Sequence, residues 1–295
     1  MTVAELRPFL IQVLIKKGMY AYEAEIVADR LLDADALGRP QEGCGSLARY
    51  LDCMDMGDID PRAISLRKSE TPATALIDAN EGMGQVAATK AMETAVEKAR
   101  AVGIGMVLVA NSQQLGCPLV YARLAAQQGL IGLCLSSTAE KIMPREDGAT
   151  HLFLGSQPMA YAIPYGETSL GFDFSFQPES NSKVTLPTEL SAPLGLLHAV
   201  LTCGLTGERM PSEKTRGPHL ERTEHVLVAI NPEAFAGIAK LQRKTEALEE
   251  YFRQHGLPLD VQMLSADPFR PINPEVLSQL QAIAVRAKVP WPEQA

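Results

Sequence analysis

Two short stretches of this chain hold the side chains best suited to chemistry. The first, ADALGRPQEG at 34–43, carries Glu42, with Gln41 before it, Gly43 and Cys44 after it, and Arg39 three residues upstream. A carboxyl whose pKa is raised by burial can serve as a general acid or base at neutral pH. Arg39 is read either as a local ion-pair partner of Glu42 or as a substrate contact. The second stretch, VANSQQLG at 109–116, carries Ser112 and Gln114 and is followed by Cys117. Gln114 can donate a hydrogen bond but cannot transfer a proton. Cys44 and Cys117 could supply a thiol; the simpler reading, taken here, is that both are small buried apolar side chains.

Other candidates carry less. Lys141 and Arg145 are read as solvated loop charges, with replacement of an anion-binding arginine as the alternative. The five histidines (His151, His198, His219, His225, His255) show no metal-ligand spacing, so no metal is expected. His198, on an apolar helix, reads as a core residue, and His151, just before LGSQP, is a candidate substitute acid. Gly82, Gly84 and Ala87 match a dinucleotide fingerprint between a strand and a helix. The strand that follows has no acidic residue for the ribose, so the glycines are read as tight turns.

Elements must position these residues. Thr2 with Glu5 forms a capping box before a helix carrying Leu6, Phe9, Leu10, Val13 and Leu14, and a second helix spans about 21–37. Strands are predicted at TALIDA, GMVLVAN, LIGLCLSS, MAYAIP, HVLVAI and VQMLS. Helices are predicted over about 118–129, 189–205 and 231–255, from Pro274, and where Ala87, Ala88, Ala91, Met92, Ala95, Val96 and Ala99 mark an amphipathic face, with a charged and glycine-rich loop before MAYAIP and a polar loop at 178–188. KLQRKTEALEEYFRQ reads as an exposed helix face with internal charge pairs. The pattern predicts an α/β fold in three parts: a helical lobe over 1–65, an α/β core over 66–270, and a C-terminal helix over 271–295 that packs on the lobe.

Composition narrows the class. The 295 residues are 46% hydrophobic and 21% charged, typical of a globular protein, and the net charge of −8 argues against a nucleic-acid surface. No apolar run is long enough to span a membrane, and nothing suggests secretion. Five widely spaced cysteines read as reduced thiols of a cytoplasmic protein. A small-molecule substrate is expected.

The stretches LLDADALGRPQEGCGSLARYLDCMDMGDIDPRA, TALIDANEGMGQVAATKAMETAVEKARAVGIGMVLVANSQQLG, YARLAAQQGLIGLCLSST and LGSQPMAYAIP resemble the malate/L-lactate dehydrogenase type-2 family. That family includes ureidoglycolate and sulfolactate dehydrogenases and cyclic-imine reductases. The resemblance implies a non-Rossmann α/β fold, a homodimer, and NADH or NADPH bound between lobes. Carried over by position, it implies catalytic roles at Glu42 and Gln114, substrate contacts at Gln41, Ser46, Ser112 and Gln157, and cofactor contacts at Gly43, Gly116, Cys117, Gly155, Ser156 and Asp173. Both positions where the family has histidine differ: one is Glu42 and the other Gln114. The family's arginine is Ser46, and the lysine-bearing loop after Asp173 is missing. A proton donor and an anion grip are therefore gone. The expected activity is nicotinamide-dependent reduction of an imine or 2-oxo-type compound that is neutral or cationic. The alternatives are a lyase or isomerase built on Glu42, and a catalytically inactive partner subunit.

Overall fold

The computed structural model describes residues 1–138, 141–144, 150–153, 157–174, 188–214, 222–256 and 262–292; for 141–144, 150–153, 188–192 and 262 it describes the backbone path alone. Helix α1 (Val3–Lys16) starts where Thr2 N donates to Glu5 Oε2 at 2.7 Å. With α2 (Ala21–Ala36) and α3 (Leu47–Met56) it forms a helical layer. The last helix, α8 (Pro274–Ala287), opens on Asn273, whose side chain accepts from Glu275 N. Leu6, Phe9, Leu31, Leu51, Leu280 and Ile283 share one apolar cluster, which draws α8 onto the first three helices. The ring of Phe9 meets Trp291 edge-on at 5.1 Å.

The strands are β1 (Leu66–Glu70), β2 (Thr74–Asp78), β3 (Ile104–Ser112), β4 (Ile131–Ser136), β5 (Lys141–Pro144), β6 (Thr150–Phe153), β7 (Met159–Tyr165), β8 (Thr168–Phe174), β9 (Thr223–Ile230) and β10 (Gln262–Met263). Eight of them form one sheet in the order β1-β2-β3-β9-β4-β7-β8-β10, and β5 with β6 makes a separate hairpin. Among the described neighbours in the large sheet, β2 and β3 alone run parallel. A doubly wound dinucleotide-binding sheet would be mostly parallel, so this is a different α/β architecture.

Helices α4 (Gly84–Val102) and α5 (Pro118–Ala126) cover one face of the sheet through an alanine-rich seam of Ala88, Ala91, Ala95 and Ala122 against Val107 and Leu227. The other face holds Leu108, Leu135 and Val226, with Leu76, Met106, Leu133, Met159 and Val228 half-buried around them. Helix α6 (Thr188–Ala199) ends in a π turn, Val200–Gly204, and exposes Leu196, Leu197 and Leu201. Helix α7 (Ile238–Gln254) buries no side chain and carries its charges in solvent, with Arg253 paired to Glu249 and Glu250. No helix among the described residues is long and apolar enough to cross a membrane.

Several elements differ from expectation, each for a local reason. The helix expected over 231–255 breaks into a 3₁₀ turn, Pro232–Ala234, and α7, because Gly237 takes φ +82° and Glu233 Oε1 accepts from Ile238 N. The helix expected over 189–205 changes to π geometry at Val200. The loop expected before MAYAIP contains the β5–β6 hairpin. The polar loop expected at 178–188 lies almost wholly outside the described residues. Strand β1 is exposed at every position, so it shows no alternation to read, and β8 was not anticipated.

The fingerprint glycines serve the chain's own backbone. Gly84 opens α4 directly beneath the loop at Gln113 and Gln114, and a Cβ there would collide with the Gln113 carbonyl; Gly82 sits against Ala63. Gly84→Ala should therefore lower unfolding free energy by about 2 kcal/mol, despite alanine's better helix propensity. Urea titration checks this, and an unchanged midpoint would contradict the packing.

Candidate active site

The strand order gathers the polar residues at one end of the sheet. β3, β4 and β8 finish there, while β9 and β7 begin there, which sets Ser112, His225, Ser136, Gln157 and Asp173 along that edge. Helices α4 and α5 both start at this end. Asn111 (φ +50°) and Gln157 (φ +41°) hold left-handed backbone there without being glycine. Such conformations cost on the order of 1 kcal/mol each and concentrate at functional sites.

Glu42 reaches this edge on the loop between α2 and α3. The loop is pinned from below: Cys44 N donates to Asp35 Oδ2 at 2.8 Å, and Glu42 N and Gly43 N both donate to Arg39 O. Asp35 and the Leu31 carbonyl leave no room for a side chain at Gly43. Arg39 does not serve as Glu42's simple partner. It forms a buried ion pair with Asp173 of β8, tying the helical layer to the sheet. Beside that pair, Glu42 Oε2 is buried and makes no hydrogen bond. Burial, and then the Asp173 charge, push the Glu42 pKa up to about 7; the Arg39 charge and a hydrogen bond with Cys117 oppose the rise. Glu42 is thus a carboxyl that exchanges its proton near neutrality.

The thiols stay protonated. Burial and the Glu42 charge raise Cys117 well above its ordinary value, and burial with Asp35 does the same to Cys44. Neither supplies a thiolate near neutral pH. Among the described residues, no cluster of His, Cys, Asp and Glu could hold a metal ion.

Two residues not anticipated complete the group. Gly116 holds φ +80°, and a Cβ there would lie 2.8 Å from the Glu42 carbonyl, 3.7 Å from Tyr50 Oη and 3.8 Å from Gln85 Nε2. Tyr50 and Gln85 are each 1% exposed. Burial pushes the Tyr50 pKa up, and hydrogen bonding with Ser46 and Gln85 opposes the rise, so Tyr50 and Gln85 answer each other in the core. The available signals were positional. Tyr50 follows Glu42 and Ser46 at successive four-residue steps, and Gln85 is a polar residue beside the fingerprint glycine.

The remaining expected residues separate. Gln41 is exposed. Ser46 Oγ donates to Gly43 O at 2.6 Å. Ser112 is fully buried and meets His225 Nε2 at 3.0 Å. Gln157 is buried too, with Nε2 donating to Thr138 O at 3.3 Å. Gln114 is half-buried on the loop above Gly84. Gly155, Ser156, Arg145 and His219 lie outside the described residues, as do the side chains of Lys141 and His151.

His225 is the framework residue that sequence reasoning passed over. Its ring lies 2.8 Å from Ser136 Oγ and 3.1 Å from the Gln113 carbonyl, so one side chain ties the ends of β3 and β4 to β9. Burial pulls its pKa down to about 3 and that of His198 to about 4, so both are neutral. His198 Nε2 meets the Ser136 carbonyl at 2.9 Å, a core role as expected. Lys214 pairs with Glu224 and contacts Ser137 Oγ at 3.2 Å, bracing the same strand ends.

The Tyr50 hydroxyl and Gln85 amide are buried under the loop of Gly116 and Cys117, where the family resemblance expects the cofactor. Asp173 would act from within its ion pair, and Gly43 from within the packed loop.

The pKa of Glu42 makes a stability prediction. Its value of about 7 lies above the ordinary 4.5. The stability of the neutral form is fully present below pH 4.5 and is lost as pH rises through 7. Glu42→Gln should match the native protein at pH 4.5 and exceed it by on the order of 3 kcal/mol at pH 8. Denaturant titrations at both pH values measure the difference, and a constant gap would rule the shift out.

Comparison with known proteins agrees with this architecture. A family model described as malate/L-lactate dehydrogenase matches residues 1–186. The malate dehydrogenase of Pyrococcus abyssi is 41% identical over 162 residues, covering 54% of this chain but only 44% of that enzyme's length. The L-sulfolactate dehydrogenase of Methanocaldococcus jannaschii is 28% identical over 279 residues, covering 82% of this chain and 80% of that protein. The fold is shared with the delta1-piperideine-2-carboxylate reductase of Pseudomonas syringae pvar. tomato, at a TM-score of 0.80 and 19% identity over 96% of this chain and all of that one. With its non-Rossmann sheet, its helical layer and this match over most of its length, the chain belongs to the malate/L-lactate dehydrogenase family of oxidoreductases.

Proposed function

We propose that this protein is a nicotinamide-dependent reductase of a small neutral or cationic imine or carbonyl compound, with Glu42 as its proton-handling group. The observation that carries the reading is the half-buried Glu42 at the sheet edge, one carboxyl oxygen shut from solvent beside the Arg39–Asp173 pair, a placement that raises its pKa to about 7. Bound NADH or NADPH would supply a hydride. Below pH 7 the Glu42 carboxyl holds a proton that it can pass to a carbonyl oxygen or imine nitrogen. Above pH 7 the carboxylate can face an iminium cation. Gln114 orients the reacting group through its amide and transfers no proton. Ser46 offers no bidentate grip on a carboxylate, which weighs against simple 2-oxo acids.

Without a bound nicotinamide, the same titratable carboxyl would favour a lyase or isomerase. The half-buried apolar sheet face around Leu133 and Val228 and the exposed leucines of α6 support a homodimer. The five buried free cysteines support a cytoplasmic setting.

Calorimetric titration with NADH and NADPH tests the redox reading. Binding of one nucleotide is expected, with its oxidation when a cyclic imine or ketone is added. The rate should show a limb near pH 7, and Glu42→Gln should lose that limb together with ~10²-fold or more in rate. Binding of neither nucleotide would end the redox reading. Light scattering should give twice the chain mass of 31.9 kDa, and a single chain mass would end the dimer proposal.

A further inference from the structure

We propose that a cavity at the far end of the sheet from Glu42 binds a small hydroxylated monocarboxylate, held by Arg123 and Ser169. Strand β8 ends beside Glu42 with Asp173 and starts at the far end with Thr168, and α5 runs from the Glu42 end to the far end. The end of α5, the β7–β8 turn, the start of α7 and the residues after β10 enclose a cavity of about 610 Å³ there. Small-molecule sites have volumes of this order.

Two polar groups meet on its wall. Ser169 is 1% exposed, and its Oγ has no hydrogen-bond partner among the described residues. Strand alternation puts Ser169 on the same face as Gly171, where a Cβ would meet Leu119 of α5 and Leu264. The hydroxyl is therefore aimed to the α5 side, where the cavity lies. Arg123 comes from α5 to the same place: its Nε donates to Leu264 O at 2.9 Å, and Leu264 N donates to Ser169 O at 2.7 Å. Asp33 is a loose counter-ion for it, 3.8 Å from Arg123 Nη1 but 3.1 Å from Arg30 Nη2. No hydrogen bond among the described residues engages Arg123 Nη2. A buried hydroxyl without a partner has given up its water for nothing, and a half-buried cation with a distant counter-ion favours an anion.

The surroundings select the anion. One carboxylate accepts from the guanidinium and from the serine hydroxyl together. A second negative charge would meet Glu167 on the cavity wall and the negative end of α5, which disfavours phosphates and dicarboxylates. Gln127, Gln242 and Thr168 line the rest with amides and a hydroxyl, which suits hydroxyl groups on the ligand.

The experiment follows the Arg123 Nε–H signal of the ¹⁵N-labelled full chain, assigned by its loss in Arg123→Lys, during separate titrations with gluconate, glucose and inorganic phosphate. A saturable shift with gluconate alone is expected. No shift with gluconate would overturn the proposal, as would an equal response to glucose, which has no carboxylate, or to phosphate, which would make this a general anion contact. Ser169→Ala should weaken gluconate by roughly tenfold without lowering the urea midpoint, because the hydroxyl has no partner to lose. Unchanged affinity in that variant, or a lower midpoint, would contradict the role given to Ser169. Glu42→Gln should leave the gluconate response as it is; its loss would place the ligand at the Glu42 site instead.

Discussion

The buried ion pair between Arg39 and Asp173 organises this site. It joins the loop after α2 to the last residues of β8, two segments separated by 134 positions. Burying such a pair costs desolvation on both sides, and the geometry must be good to offset it. Here it does two things at once. It holds the loop that carries Glu42 against the end of the sheet, and it answers the Arg39 guanidinium with a carboxylate. Glu42, brought in beside the pair, loses its water first and then feels the Asp173 charge more strongly than that of Arg39. A raised pKa follows from the arrangement without any special feature of Glu42 itself.

Backbone close approach supplies the second constraint. Gly84 lets α4 begin under the Gln113 carbonyl, and Gly116 lets the same loop cross the Glu42 carbonyl. From behind, His225 ties that loop to β4. The loop bearing Gln114 is therefore held by a helix start, a neighbouring loop and a neutral histidine. Such a frame can keep a reacting group in place while the side chains facing it change.

Much of the frame was legible because its signals are local. The apolar spacing in α1, α2 and α4 and the runs in β2, β3, β4 and β9 each bury one surface. Strand β1 escaped reading because all five of its residues are exposed, and α7 was overextended because one left-handed glycine cut it. Glu42 and Gln114 were found as motif positions, but what surrounds them is tertiary. The partner of Arg39 lies far along the chain. Ser112, expected to face the substrate, points at His225, which the sequence shows only as the polar first residue of an apolar run. Gln85 sat inside a glycine pattern whose glycines turned out to serve the protein's own loop.

The central claim is that Glu42 exchanges its proton near neutral pH. The direct measurement is the carboxyl ¹³C chemical shift of Glu42 in glutamate-labelled protein, assigned with Glu42→Gln and followed from pH 4 to 9. The account predicts a midpoint near 7. A midpoint near 4.5, the ordinary glutamate value, would contradict it and remove the proton donor from the proposed reaction.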